Sequence, residues 1–328
     1  MTLYALYAGR GRCLDRLNHC CAVYAVAAMG WKVVHSLHVK KLLLFAVALL
    51  CCTTLLSAKS RAVLTALPER FFWRLSGIDA AGNPSTVYIQ GTIHVGTAAL
   101  YPLAESVQTA WKSADRYVSE LSSEDVAALD AAVTNAMLST WQKDQQRLFK
   151  ALSPDDITIL QTALDADALN FYARFEPWVL NAALASLPLK ANGYDDALGL
   201  DYHFYKQLEL QGATSEGLDS LKQQLQLLSF GTYDEQIVLL KDSLATIRNS
   251  DETASELDSL YDAYYNNDSA MLTALIEKAN VADIAAHALY KRYYKQMYQE
   301  RNERWAQALA GYLQAGGTTF VFAGCAHF

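Results

Sequence analysis

The sequence predicts an α+β fold, in which a small mixed β-sheet built from the two ends of residues 59–328 carries a large helical insertion. Strand-like apolar runs occur at about 70–77 and 85–90, and again at 318–323. Between about 122 and 315 the apolar residues recur almost entirely at helical spacing. Strands at both ends and helices between them favour a single domain with one sheet.

The predicted elements are separated by short polar breaks. The first two strands, 70–77 and 85–90, are expected to form a hairpin around Gly82-Asn83-Pro84. A third strand is predicted at 116–121 and a short one at 214–218. One helix should begin at Ser153-Pro154, where Ser caps and Pro fits the first turn. Other helices are predicted over 103–114, 124–140, 171–187 (kinked or split at Pro177), 200–210, 219–228, 233–248, 252–265, 267–279 and 281–315.

The N-terminal region has the pattern of an export signal. Residues 42–56 are fifteen positions without a charge, preceded by Lys40-Lys41. This run is shorter than the ~20 apolar residues of a transmembrane helix. We predict a signal peptide over 29–58 with cleavage after Ala58, the alternatives being an uncleaved signal anchor or a buried helix. Residues 1–28 are expected to be a spurious or unstructured extension, because Met29 is a more ordinary start.

Export would leave one domain over 59–328, in a periplasmic or extracellular setting, with membrane contact only through an uncleaved N-terminal segment. Residues 1–58 hold six of the 27 basic and one of the 34 acidic side chains, so the remainder carries a net charge of −12. An acidic surface argues against a nucleic-acid partner. Five of the six cysteines lie in residues 1–58, so Cys325 is left without a disulfide partner in the same chain.

Two Gly-x-x-His motifs follow strand-like runs at opposite ends of this domain. They are Gly91 to His94 and Gly324 to His327, and Glu120 lies near the end of the strand predicted between them. Strand ends of an open α/β sheet are where ligand sites form. Two imidazoles and a carboxylate suit a divalent metal such as Mn, Co, Zn or Fe with open positions for water and substrate. Glu120 could instead be the general base.

Several segments occur in an order that resembles a known family. They are YIQGTIHVG, YVSEL, FEPWVL, GLD (199–201), EGLDSLKQQL, ERNERWA and FVFAGCAH. From about Phe71 to His327 the chain resembles the TraB/GumN family, which is similar to the Tiki metalloproteases. The resemblance implies a mixed sheet with helices, a secreted or membrane-tethered setting and a divalent-metal-dependent peptidase. The implied site residues are Gly91, His94, Glu120, Gly324 and His327, with Arg301 and Asn302 of the ERN motif as substrate-binding residues.

Two departures from the family pattern stand out. Family members usually continue past the second His, so the chain is expected to be truncated at Phe328. Asp219 stands where the family's Glu is expected in the GLE motif. Arg301 could bind a substrate carboxylate or pair with Glu120. Cys325 fits a small buried residue better than an activated thiolate, because no oxyanion-stabilising groups are visible beside it.

The sequence therefore predicts an exported metal-dependent hydrolase, most simply a peptidase acting on a peptide or protein. The metal and acid–base set would be His94, His327 and Glu120. An alternative from another class is a catalytically silent protein that binds a peptide or signal on the same scaffold. A third keeps the chemistry but replaces the peptide with an ester, or the divalent metal with a haem iron.

Overall fold

The computed structural model describes residues 62–67 and 69–328. The extension predicted at 1–28 and the signal predicted at 29–58 lie outside the described residues. No helix in the described ranges has both the length and the apolarity needed to cross a membrane.

Within the described residues, six strands form one mixed sheet in the spatial order β1-β2-β3-β6-β4-β5. β1, β2 and β3 pair antiparallel, whereas β3, β6, β4 and β5 run parallel. This arrangement, with helices packed on it, confirms the predicted α+β class with a mixed sheet. The strands are β1 (Val63–Ala66), β2 (Phe72–Ile78), β3 (Pro84–Thr92), β4 (Arg116–Leu121), β5 (Ser215–Asp219) and β6 (Gly317–Gly324).

The predicted hairpin joins β2 to β3, and its turn is organised by one carboxylate. Asp79 Oδ1 accepts hydrogen bonds from the backbone N–H groups of Ala81 (2.9 Å) and Asn83 (2.8 Å). Gly82 has φ +92°, a left-handed conformation that glycine adopts without strain. Pro84 can open β3 because the first residue of a strand can lack a ladder donor. The turn therefore fixes the register of the two strands.

Most of the chain between β4 and β6 is helical, as predicted. Pro177 begins a helix, so the predicted 171–187 helix is split there. The prediction of one helix over 281–315 is wrong, because His287 is extended and the chain then passes through a π-helical turn, Lys295–Gln299. The helices are α1 (Glu105–Lys112), α2 (Ser123–Ser139), α3 (Arg147–Ala151), α4 (Pro154–Ala163), α5 (Ala166–Tyr172), α6 (Pro177–Leu184), α7 (Leu187–Ala191), α8 (Leu200–Gln211), α9 (Leu221–Leu228), α10 (Tyr233–Arg248), α11 (Ser250–Tyr265), α12 (Ser269–Ala286), α13 (Leu289–Tyr294) and α14 (Glu300–Ala315).

Helices cover both faces of the sheet, which explains why β6 is apolar throughout. Phe320 and Phe322 belong to the core cluster that includes Trp111 of α1 and Phe204 of α8. Val321, between them, belongs to the cluster on the α14 side. Burying each such side chain contributes roughly 1.5–3 kcal/mol. The central parallel strands are therefore firmly held, and their ends are fixed points for a site.

The parallel register brings the carboxyl ends of four strands to the same edge of the sheet. Thr92 at the end of β3 is in register with Gly324 at the end of β6. Leu121 at the end of β4 is in register with Asp219 at the end of β5. The residues that follow or end these strands share this edge, as the strand-end prediction required. A second core cluster, formed among α3 to α6 and α10, packs away from the sheet.

Candidate functional site

His94 follows β3 and is held by an acid from another element. Its Nδ1 lies 2.9 Å from Oδ2 of Asp201, in the first turn of α8. The Thr92 hydroxyl donates to the other oxygen of Asp201 at 2.5 Å. Asp201 is buried, whereas the His94 side chain keeps 21% of its surface exposed. The imidazole is therefore oriented from behind by a carboxylate and reaches solvent from the strand-end edge.

The loop before α8 is fixed to the β3 turn by its backbone. Gly96 and Asp195 form an antiparallel bridge, and the Leu200 N–H donates to the Ile93 carbonyl at 2.9 Å. A Cβ on Gly199 would lie 2.1 Å from the carbonyl oxygen of His94, so only glycine fits there. The Gly-Leu-Asp motif therefore has a physical explanation: its glycine permits the approach and its acid binds the imidazole.

His327 lies in the 3₁₀ turn Cys325–His327 after β6, and α14 supplies its polar partners. Its Nδ1 is 2.7 Å from Oδ1 of Asn302, and its Nε2 is 3.2 Å from Nη1 of Arg301. Because a guanidinium only donates, Nε2 accepts and Nδ1 carries the proton given to Asn302. Trp305 packs on the ring at 4.4 Å between centroids.

The environment of His327 strongly favours the neutral imidazole. Burial and the adjacent Arg301 lower the pKa of His327 from 6.5 to about 3, while Glu120 opposes the shift. A positive charge on His94 would lower the same pKa further. His327 is thus neutral at physiological pH.

Glu120, at the penultimate position of β4, is bound on both oxygens. Oε1 accepts the Gly324 N–H at 2.7 Å, and Oε2 is 2.9 Å from Nη2 of Arg301. Arg301 is only 1% exposed, and its Nε also binds Asp219 at 2.7 Å. Arg304 takes the second Asp219 oxygen at 2.8 Å. Two arginines and two acids thus form a charge-balanced network that leaves no buried charge uncompensated.

Gly91 and Cys325 show why the two motifs pack so closely. A Cβ on Gly91 would lie 3.0 Å from Cβ of Cys325 and 3.0 Å from Cβ of Phe71. The Cys325 thiol is buried, and burial raises its pKa to about 12. Such a thiol stays protonated and unreactive at neutral pH. The prediction that Cys325 is a small buried residue is confirmed.

The family model described as "TraB/PrgY/gumN family" matches residues 71–328, which include every site residue described in this section. The chain belongs to the TraB/PrgY/gumN family. A protein of Treponema pallidum (strain Nichols), described as "Uncharacterized protein", is 31% identical over 285 residues, which cover 85% of this chain and 82% of that protein. No solved structure matches the chain.

The structure of this family member unites most of the predicted site residues. One hydrogen-bonded group contains Glu120, Arg301, Asn302 and His327. Within it Arg301 pairs with Glu120, which was one of the two roles predicted for Arg301. His94 stands at the neighbouring strand end. Sequence reasoning about the site missed Thr92, Asp201 and Trp305, although the GLD motif contains Asp201. Asp219 was noted only as a departure from the family pattern, yet it binds both arginines.

The two imidazoles fit a divalent metal, whereas Glu120 does not fit as a direct ligand in this arrangement. Each Nδ1 lies close to a side-chain oxygen, at 2.9 Å for His94 and 2.7 Å for His327, which is typical of metal-bound histidine. For His327 the contacts place the lone pair of the neutral ring on Nε2. Glu120 has both oxygens on protein N–H groups. Among the described residues, no three His, Cys, Asp or Glu side chains are grouped to hold a metal as they stand.

Proposed function

We propose that this protein is an exported metal-dependent hydrolase that cleaves peptide bonds. The observation that carries the proposal is the pair of imidazoles at adjacent parallel strand ends, each with its Nδ1 held by a side-chain oxygen, beside the buried Glu120. Such a pair, with a carboxylate near it, is the residue set that metal-assisted hydrolysis needs. Export rests on the pattern predicted for residues 29–58.

His94 and His327 would hold the divalent cation, which can be Mn, Co, Zn or Fe. When bound, the ion supplies a Lewis acid and a more acidic water. Glu120 would hold or move a proton at its Oε atoms, exchanging its bond to Arg301 or Gly324 for one to water or substrate. Nη1 of Arg301 now lies 3.2 Å from Nε2 of His327, so the guanidinium would have to move away for that nitrogen to hold the ion.

The predicted substrate-binding role of Arg301 and Asn302 stays a prediction. Their contacts inside the protein support a positioning role, because Arg301 binds Glu120 and Asp219 while Asn302 binds Nδ1 of His327. A guanidinium bonded to two acids has little positive charge left for a substrate carboxylate. Substrate selection is therefore expected from other groups on the exposed side of His94.

The test measures bound metal and cleavage of peptide and ester substrates by the full chain and by His94→Ala. The matched control is His287→Asn, because His287 is exposed and Asn keeps an acceptor for the Leu289 N–H. We expect His94→Ala to lose more than about 100-fold in metal affinity and cleavage, and His287→Asn to lose neither. Equal metal content and cleavage in both variants would contradict the proposal. If the protein cleaves the esters and not the peptides, its substrate class would be an ester in place of a peptide.

A catalytically silent binding protein is the second candidate, favoured by one specific observation. Every oxygen of Glu120 and the Nε2 of His327 already have partners within the protein. A site closed in this way can hold its shape without metal or turnover. This candidate predicts peptide binding that survives both His94→Ala and a chelator, measured by calorimetry with the same peptides.

A further inference from the structure

Asp201 is a buried carboxylate with one polar neighbour at each oxygen. It is 8% exposed, yet no arginine or lysine of the described residues pairs with it, unlike Glu120 and Asp219. Its oxygens meet the Thr92 hydroxyl at 2.5 Å and Nδ1 of His94 at 2.9 Å. A buried carboxylate is costly unless donors satisfy it. The Thr92 hydroxyl satisfies Oδ1, whereas Oδ2 makes no hydrogen bond among the described residues and has Nδ1 of His94 as its polar neighbour at 2.9 Å.

The backbone holds Asp201 and His94 in a fixed relation. The Leu200 N–H bond to Ile93 (2.9 Å) and the Gly96–Asp195 bridge join the segment before α8 to the β3 turn on either side of His94. Asp201 also lies in the first turn of α8, where a negative charge is favoured by the helix dipole. The acid is therefore preorganised against the imidazole and need not be recruited when a ligand binds.

We propose that Asp201, anchored by Thr92, is the positioning residue for His94. The carboxylate accepts the Nδ1 proton of the neutral ring and so fixes the tautomer whose lone pair is on Nε2, facing the strand-end edge. Its consequence for metal binding rests on the proposed function, whereas the tautomer does not. Asp201 acts through His94 and is not itself assigned contact with substrate.

The tautomer can be read directly in the full chain without metal. Histidine labelled with ¹⁵N reports which ring nitrogen is protonated, and His94→Gln assigns the His94 signals. At about pH 9, above the usual imidazole pKa, we expect His94 to be protonated on Nδ1. Asp201→Ala should move the proton to Nε2. Asp201→Asn should retain the Nδ1 tautomer, because its amide oxygen can accept from His94 while its NH₂ donates to Thr92.

A second measurement follows the affinity for Mn²⁺, Co²⁺ and Zn²⁺ by calorimetry. We expect Asp201→Ala to weaken binding by about 10- to 100-fold, Thr92→Val to weaken it less, and Thr92→Ser to restore most of the Thr92→Val loss. Asp165→Ala serves as the control, since Asp165 caps α5 in the helical cluster away from the sheet. If Asp201→Ala fails to fold, Thr92→Val and Asp201→Asn still report the tautomer and affinity.

The outcomes separate this proposal from the proposed function. A wild-type His94 protonated on Nε2, or an Asp201→Ala variant with the wild-type tautomer, would overturn the positioning role whatever the metal result. Wild-type protein with the Nδ1 tautomer but no affinity for any of the three metals would support the positioning role and overturn the metal-dependent function. If the wild type binds metal and Asp201→Ala binds it with the same affinity, the positioning role would also be overturned.

Discussion

The two Gly-x-x-His motifs have the same spacing and the same strand-end position, but they place their histidines in opposite surroundings. His94 has a carboxylate behind Nδ1 and keeps part of its ring exposed. His327 has the amide of Asn302 at Nδ1, the guanidinium of Arg301 at Nε2 and an indole against its face. One imidazole is therefore supported by negative charge, and the other is held neutral beside positive charge.

This difference shows what a repeated motif can and cannot specify. The strand and its glycine place each histidine at the sheet edge, because the parallel register brings Thr92 level with Gly324. The chemistry of each ring comes from helices far away in sequence, α8 for His94 and α14 for His327. The site therefore has a His94 half, formed by His94 and its partners on α8, and a His327 half, formed by His327 and its partners on α14. A substitution can alter one half without the other.

The largest expected effect is in the His327 half. Arg301→Met removes the guanidinium between Glu120 and Asp219 and leaves two buried carboxylates without their shared partner. Breaking a buried ion pair in this way costs about 3–5 kcal/mol. Urea unfolding of the variant should therefore show a free energy of unfolding lower by about that amount.

The control for Arg301→Met is Arg304→Met, because Arg304 binds the same Asp219 but its side chain is 40% exposed. An ion pair that reaches solvent is worth about 0–1 kcal/mol, so this variant should lose little stability. If both variants lost the same free energy of unfolding, the buried ion pairs of Arg301 would contribute no more to stability than the partly exposed ion pair of Arg304.

A smaller effect is expected in the His94 half, from Gly199→Ala. The added methyl would lie 2.1 Å from the His94 carbonyl oxygen, which is backbone and cannot rotate away. Forced overpacking costs about 1–3 kcal/mol, and the shift should also move His94 relative to Asp201. The free energy of unfolding should fall by that amount, and the ¹⁵N signals of His94 should change.

Gly311→Ala is the matched substitution for Gly199→Ala. Gly311 is exposed in α14 with nothing within 4 Å of its added Cβ, so alanine should raise the free energy of unfolding by about 0.5–1 kcal/mol. A stabilised Gly199→Ala variant would mean that the loop before α8 is not held against the β3 turn as described.

The sheet and its site edge were predictable from sequence because their signals are local. Alternating apolar runs, the Gly82-Asn83-Pro84 turn and the glycines before the two histidines each act over a few residues. The strand predicted at 116–121 coincides with β4. β1 escaped prediction because it is a short, mostly exposed edge strand without a clear apolar alternation.

The partners of the site residues were harder to predict because their contacts join distant parts of the chain. Thr92 and Asp201 are 109 residues apart, and Glu120 and Arg301 are 181 apart. No periodicity links such pairs, so Asp201 could be quoted within a motif without its role being deduced. The break at His287 was missed for a different reason: it contains neither Gly nor Pro.

The smallest expected effect tests a tyrosine-rich segment, residues 289–299, which contains Tyr290, Tyr293, Tyr294 and Tyr298 and leads directly into α14 and Arg301. The Tyr294 hydroxyl in this segment donates a hydrogen bond to Asp283. Burial raises the pKa of Asp283 from 3.8 to about 6, against the opposing bond from Tyr294. The folded state thus binds this proton more tightly than the unfolded state does. The stabilisation that comes from this proton on Asp283 is complete below about pH 4 and is lost as the pH rises through about 6.

Asp283→Asn keeps an acceptor for Tyr294 and removes the cost of a buried charge. We expect it to raise the free energy of unfolding by about 1–2 kcal/mol at pH 7.5 and to leave it unchanged near pH 4. Urea unfolding at both pH values measures the difference, with Asp251→Asn on the exposed face of α11 as the control for lost charge. A variant that is less stable than the wild type at pH 7.5 would show that the Asp283 carboxylate, through Tyr294, stabilises the segment leading to Arg301. In that case both the tyrosine-rich segment and the Arg301 network would depend on buried carboxylates. The His327 half and the His94 half would then differ in how many buried carboxylates they contain, and not in the sign of the stabilising charge.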